Sequence, residues 1–310
     1  MDYESCPWEV AKESSRVDCW PPMALAQLGL VVHPRRDIAG ALDSISAWAS
    51  KNDVAIGQVR IPGQGRRVAE PVEVESCELL IAVGGDGTTL AALHAAAPAS
   101  LPVLGVACGS VGVLTSVHAD DLVAGLDQVA AGSWIRRALP GLEVGTAAGQ
   151  VGVAINDFAV IRNGMGQVIT AITVDGDLYA RMAGDGLVVA SQLGSSAYTM
   201  AAGGPILAPG AQGMVVTPLA PHGGAAPPLV VGPESRVGLS VEPGYGGIRC
   251  ELDGQERGTP APEMTVSLSS GYATLVELRD QESMLAGLRR RGLVVDSPRI
   301  LARDARAGSS

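Results

Sequence analysis

Residues 81–90 read IAVGGDGTTL. An apolar run stops at Gly84 and Gly85, a carboxylate follows at Asp86, and then come Gly87 and two threonines. Glycines between a buried strand and a helix let backbone N–H groups reach a phosphate, and the helix start adds partial positive charge. A carboxylate is a poor phosphate ligand alone. It suits a base for an attacking hydroxyl, or a partner for Mg²⁺ riding on the phosphates. A tight turn with an N-capping aspartate would read the same without any chemistry. GxxxxGK[ST] is absent, and Lys12 and Lys51, the only lysines, sit near no glycine loop, which excludes a P-loop NTPase. No GxGxxG follows a strand, which argues against a hydride-transfer dinucleotide site.

Further motifs follow in order. GVACGSVGVLTS (105–116) is a second glycine-rich turn after a strand. AINDFAVIR (154–162) sets Asn156 beside Asp157. GDGLVVASQLGSSAYTMAAGGPIL (184–207) joins an acid, a Gly-Ser-Ser turn and a short helix. His222 lies in the proline-rich TPLAPHGGAAPPLVV (217–231), and ELDGQE (251–256) holds an Asp-Gly turn.

The elements that must carry these motifs change character along the chain. Strand-like runs at 28–33, 53–61, 77–83 and 101–107 alternate with helical spacing at 38–49, 88–97 and 119–132. That alternation predicts a parallel sheet covered on both faces. After about residue 140 the pattern becomes mostly β, with a short helix at SSAYTMAAGG. Strands are expected at 263–269 and separately at 273–279, and a helix at 281–291. The expected organisation is a loose tail at 1–25, an α/β domain at 26–140, a β-rich substrate domain at 141–272, and a segment at 273–310 packing back on the first domain. Asp253 in the Asp-Gly turn reads as structural.

Bulk composition bounds the partners. The chain has 310 residues, a net charge of -10 and a core of aliphatic residues with a single Phe. The acidic balance argues against nucleic acid or an anionic membrane, though not against small anions. Cys6, Cys19, Cys77, Cys108 and Cys250 form no CxxC pair. Neither a disulfide framework nor a metal cluster is expected, and a reducing cytoplasm is. No signal peptide and no membrane span are expected.

Taken in order, GGDGT, ND, DGL…GSSAYTMAAGGP, TP…PH and DGQ resemble the NAD kinase family over about 28–290. The resemblance implies an N-terminal α/β domain, a C-terminal β domain, and a homodimer or homotetramer. It implies phosphoryl transfer from ATP or polyphosphate, with Mg²⁺ or another divalent cation, to the 2′-hydroxyl of the adenosine ribose of NAD. Asp86 would activate that hydroxyl. Gly84, Gly85 and Gly87, with Thr88, would serve the phosphates. Asn156 and Asp157 would hold the dinucleotide, and Asp185 would reach its nicotinamide end from a neighbouring subunit. Ser196, Ala197 and Tyr198 would line the adenine and ribose pocket. His222 is added as a substrate contact, beside the reading of a hydrogen-bonded loop histidine. No metal ligand is fixed by the protein.

The chain departs from the family pattern where the substrate is expected. Ala107 stands for the usual Asn and Val113 for an aromatic residue. Ser191, Gln192, Leu193 and Ser196 differ in the TPTGSTAY segment, and Ala201 replaces a serine. PHGGAAPP replaces a stretch like PHSLSFRP. Each lost polar contact costs about 0.5–1.5 kcal/mol of binding. A paralogue that phosphorylates another nucleoside or nucleotide is therefore the alternative. A non-catalytic nucleotide binder is the third reading, opposed by the retention of Asp86.

Overall fold

The computed structural model describes residues 24–63, 65–257, 261–279 and 281–307. The expected tail at 1–25 falls almost wholly outside the described residues, as do Cys6 and Cys19. Two compact units are present. One holds the described residues up to Arg137 together with Thr274–Ser283, and the other holds Ala138–Ala273 with the described residues from Met284 onward.

The first unit is built on short apolar strands: β1 (Gln27–Val32), β2 (Ala55–Gln58), β3 (Leu79–Gly84) and β4 (Pro102–Ala107). Every residue of β3 is buried, as a parallel strand covered on both faces requires. Helices α1 (Ala39–Lys51), α2 (Asp86–Ala96) and α3 (Leu122–Ala130) cover the sheet. Helix α1 buries Ala41, Ile45, Trp48 and Ala49 on one stripe. The Trp48 indole N–H also donates to Asp127 of α3 at 2.7 Å. Ala92 and Ala96 bury against the sheet beside Leu93, and their small side chains allow close approach.

The strands pair in the order β4–β3–β1–β2, all parallel. A short strand, β5 (Val117–His118), adds to β4. From β1 the chain moves outward one way to β2, and from β3 it moves the other way to β4. The loops leaving β1 and β3 therefore diverge and leave a crevice at the carboxyl ends of these two strands, the place where open α/β sheets bind ligands.

The second unit is mostly antiparallel. β6 (Trp134–Thr146) leads into it and pairs with β7 (Gly149–Ala154). Then follow β8 (Asp157–Arg162), β9 (Val168–Val174), β10 (Asp177–Gly184), β11 (Gly186–Ser191), the single-turn helix α4 (Tyr198–Ala201), β12 (Met214–Leu219), β13 (Leu229–Val231), β14 (Val237–Glu242), β15 (Ile248–Leu252), β16 (Gln255–Glu256) and β17 (Glu263–Leu278). One layer runs β13–β12–β11–β8–β15–β16, and the other includes β10–β9–β14 and the first part of β17. Between them Phe158, Val160, Leu187, Val189, Met214 and Val216 pack with Ile172, Leu239, Val241 and Val266. Strands β11 and β12 are buried along their whole length, because Tyr198 and Ala202 cover their outer face.

Two differences from the sequence reading stand out at the carboxyl end. β17 is one strand of 16 residues, not two. Gly271 turns at φ +73, which glycine adopts without steric cost, so the chain bends while pairing continues. Its first part pairs with β14, and Thr274 and Leu275 pair in parallel with β4. Only Thr274–Ser283 groups with the first unit. Helices α5 (Met284–Arg290) and α6 (Pro298–Ala307), the latter unforeseen, group with the second.

Candidate active site

In the first unit the GGDG turn joins β3 to α2. Gly85 is the N-cap and Asp86 the first helical residue. The Asp86 side chain does not cap its own helix. Its Oδ2 accepts the Val113 N–H and its Oδ1 the Leu114 N–H, each at 2.9 Å. The second glycine turn is thus hung on the carboxylate, and each oxygen keeps a further lone pair. Gly112 is needed for this. A Cβ there would overlap the Asp86 carboxylate. Thr115 Oγ1 steadies the same turn by accepting the Gly112 N–H at 2.8 Å.

The glycines of the first turn have different reasons to be glycine. At Gly84 a Cβ would collide with Thr88 and lie 2.8 Å from His33 Cβ. At Gly85 it would lie 3.2 Å from the Arg36 guanidinium. At Gly87 it would meet nothing within 4 Å. Thr88 is buried, and its N–H donates to Gly85 O at 3.0 Å.

Arg36, in the loop after β1, reaches both turns. Its guanidinium donates to Gly84 O at 2.8 Å and to Cys108 O at 3.3 Å. The loop is held by His33, whose Nδ1 accepts the Arg35 and Arg36 N–H groups at 3.1 and 2.9 Å. The sequence reading passed over Arg36 and Gly112. The only signal was their place in loops that follow strands, which does not reveal reach.

In the second unit Asn156 immediately precedes β8 and Asp157 opens it, and an Asp-Gly turn holds them. The Asp253 carboxylate accepts N–H groups from Ile155, Asn156 and Asp157 at 2.8, 2.7 and 3.1 Å. Asp253 and Gly254 have φ of +52 and +71, the geometry of a two-residue hairpin turn between β15 and β16. Asp253 is structural, and it aims the Asn-Asp pair. Asp157 is only 6% exposed. Burial, then the nearby Asp253 and Glu251 carboxylates, push its pKa up to about 7 against a small opposing effect of the Tyr198 N–H. Asn156 O accepts the Ser191 N–H at 2.8 Å, and Gly194 is glycine because a Cβ would overlap that carbonyl.

Ser196 Oγ donates to Leu193 O at 3.1 Å, Ala197 is exposed, and Tyr198 is half-buried with its pKa raised by burial first. Tyr198 and Asp185 line a cavity of about 520 Å³ with Ile161, Arg162, Pro218 and Arg249. Asp185 accepts from Arg162 Nε at 2.6 Å, and Arg249 Nε donates to Glu251 at 2.7 Å. Neither arginine drew notice in the sequence. His222 is exposed and outside the residues lining that cavity; its N–H donates to Ala183 O at 2.8 Å. Among the substituted positions, Ala107 and Leu193 are buried, Val113 is half-buried and Ala201 is exposed.

The chain matches two family models, the ATP-NAD kinase N-terminal domain over residues 28–134 and the ATP-NAD kinase C-terminal domain over residues 155–279. It is 35% identical over 218 residues to the NAD kinase of Pseudomonas paraeruginosa, covering 67% of this chain and 73% of that one. To the NAD kinase of Desulforamulus reducens it is 31% identical over 241 residues, with coverage of 74% and 83%. Yeast NADH kinase complexed with NADH shares the fold at a TM-score of 0.72 and 18% identity, over 88% of this chain and 89% of that one. An NAD kinase from Archaeoglobus fulgidus in complex with ATP shares it at 0.69 and 24%, over 86% and 97%. No helix among the described residues is long and apolar enough to cross a membrane. With two domain models matched in order and relatives of this identity over two thirds of its length, the chain belongs to the NAD kinase family.

Proposed function

We propose that the chain transfers the γ-phosphoryl group of ATP to the 2′-hydroxyl of the adenosine ribose of NAD, giving NADP. It is a phosphotransferase with an alcohol acceptor, as its family and its NAD kinase relatives are. The relatives give no support to another nucleoside as acceptor, despite the substitutions at Ala107, Val113 and Ala201.

The observation that carries the reading is the Asp86 carboxylate, set by two backbone N–H groups among glycine turns at the carboxyl end of the parallel sheet. Asp86 takes the proton of the 2′-hydroxyl. The ribose oxygen forms a bond to the γ-phosphorus as the bond to the β-phosphate oxygen breaks, and ADP leaves. Such transfer depends on positioning and charge neutralisation. Gly84, Gly85, Gly87 and Thr88 serve the phosphates. The open space at Gly87 supports this, because packing gives no reason for a glycine there. Asn156 and Asp157 hold the dinucleotide, Ser196, Ala197 and Tyr198 line its adenine and ribose pocket, and His222 is the remaining contact. Asp185 reaches the nicotinamide end in a neighbouring subunit of a homodimer or homotetramer; its half-exposed place at the rim of a cavity supports that role.

Mg²⁺ or another divalent cation is expected to arrive on the phosphates and to neutralise their charge. The donor set at the turn fits a cation carried in this way, since Asp86 offers one carboxylate with lone pairs to spare. Polyphosphate is the alternative donor. The reaction is placed in the cytoplasm, where the free thiols of Cys77, Cys108 and Cys250 suit a reducing compartment.

The test is NADP formation from NAD and Mg-ATP, measured by mass spectrometry, with Asp86→Asn alongside. NADP from the wild type and a loss of about 10² to 10⁴ in rate for a folded variant support the base. No NADP from a folded wild type removes NAD as the acceptor.

A further inference from the structure

We propose that Arg36 and the arginine-lined cleft after β2 form the binding site for the phosphate chain of the donor. The inference rests on the kinase reading above and extends it to residues that no motif marks.

Residues 33–37 after β1 and 59–71 after β2 carry Arg35, Arg36, Arg60, Arg66 and Arg67 against Asp37 and Glu70, and Glu73, Glu75 and Glu78 follow before β3. The chain as a whole is acidic, at -10, so this concentration of guanidinium groups is local. One of the first two carboxylates is occupied structurally, since Asp37 Oδ1 accepts the Ala39 N–H at 3.1 Å. The other, Glu70, pairs with Arg67 at 2.6 Å, both side chains well exposed. Such an exposed pair is worth little and yields readily to a stronger anion. Arg35 and Arg60 hold no ion pair among the described residues.

These residues are built into a site. Arg60, Arg66 and Arg67, with Gln58, Ile61 and Pro71, line a cavity of about 460 Å³. Its floor is organised by Gln58, almost fully buried, which donates to Arg66 O at 2.7 Å and accepts the Val68 N–H at 2.8 Å. The cavity is joined to the GGDG turn through two hydrogen bonds. Arg66 donates to Arg36 O at 2.6 Å, and Arg36 donates to Gly84 O at 2.8 Å. Arg36 therefore stands between the cavity and the turn, its charge set beside both glycine loops. All of these loops leave the carboxyl edge of one parallel sheet, with the crevice between β1 and β3 among them.

The chemistry selects a phosphate chain. Guanidinium groups match phosphate oxygens in paired hydrogen bonds. A row of them leading to a glycine turn suits an extended polyanion better than a single carboxylate. The reacting end lies at the GGDG turn, beside Arg36, and the remainder of the chain runs toward Arg66, Arg60 and Arg67. Arg36 touches the donor; Arg66 positions Arg36.

Calorimetric titration with inorganic tripolyphosphate and with Mg-ATP tests the site, using the wild type, Arg60→Ala/Arg67→Ala, Arg36→Met and Arg36→Lys. The double variant, altered at two exposed side chains, is expected to weaken both ligands by about 10-fold and to flatten the salt dependence of binding, with NAD affinity unchanged. Arg36→Met is expected to raise the KM for ATP and lower kcat, by about 10- to 100-fold in kcat/KM, and Arg36→Lys to restore part of it. Wild-type tripolyphosphate affinity and ATP KM in the double variant overturn the cleft, whether or not Arg36→Met folds. NADP formation by the wild type is scored separately. Tripolyphosphate binding lost in the variants while the wild type makes no NADP would retain this site and remove the acceptor assignment. NADP formation with an unaltered ATP KM in the double variant would do the reverse.

Discussion

Replacing Gly87 by alanine separates the demands of folding from those of the ligand. Gly87 is exposed in the first turn of α2, and a Cβ there meets nothing within 4 Å. Alanine lowers the backbone entropy of the unfolded chain and has the higher helix propensity. The variant should gain about 0.5–1 kcal/mol of stability. For a unit of this size that is a rise in Tm of about 1–4 °C. Activity should move the other way. If the phosphates approach the backbone here, a methyl group holds them off and weakens at least one charge-assisted N–H contact, worth about 1.5–3 kcal/mol. That predicts a fall in kcat/KM for ATP of about 10- to 100-fold. Calorimetry and NADP formation on one preparation read both quantities. Gly84→Ala is the contrast: its Cβ collides with Thr88, so stability and activity fall together. A Gly87→Ala enzyme that is more stable and as active as the wild type would refute the idea that the position is kept open for a ligand. A less stable one would refute the steric argument.

Other outcomes follow from the same geometry. Gly112→Ala should displace the Asp86 carboxylate and cost at least about 10² in kcat, with a far-UV spectrum like that of the wild type. Asp253→Ala should remove three N–H acceptor contacts at once and destabilise the second unit by about 2–4 kcal/mol, read as a lowered denaturation midpoint. Asp157 has a pKa raised from 3.8 to about 7 in the fold, so the native state holds its proton more tightly than the unfolded chain does. Its contribution to stability is present below pH about 4 and is lost as pH rises through about 7. Asp157→Asn should therefore stabilise the protein at pH 8 and have little effect at pH 4 in chemical denaturation. If ionised Asp157 accepts hydrogen bonds from NAD, the KM for NAD should fall between pH 6 and 8 in the wild type and stay flat in Asp157→Asn.

Local sequence determined a good deal of this protein. The alternation of fully apolar runs with helical spacing before residue 140 specifies a parallel sheet, because strands covered on both faces have no polar alternation. The Gly-Gly-Asp-Gly stretch after such a strand was legible as a turn leading into a helix, since glycine placement is a local backbone property. The Asp-Gly hairpin at Asp253 was legible for the same reason. The ordered set of motifs named the family without coordinates. What sequence did not reveal depends on who meets whom in space. The hold of Asp86 on Val113 and Leu114, 27 and 28 positions away, is a tertiary fact. So are the Arg36 guanidinium across two glycine turns and the Arg66 grip on its carbonyl. The burial of Asp157 beside two other carboxylates, which moves its titration to about 7, follows from packing and from no motif. The continuity of β17 through Gly271 was hidden because a positive-φ glycine reads as a strand break, whereas strand pairing on either side decides whether it is one. A residue's type and its immediate neighbours set backbone preference, but reach, burial and charge proximity are properties of the folded chain alone.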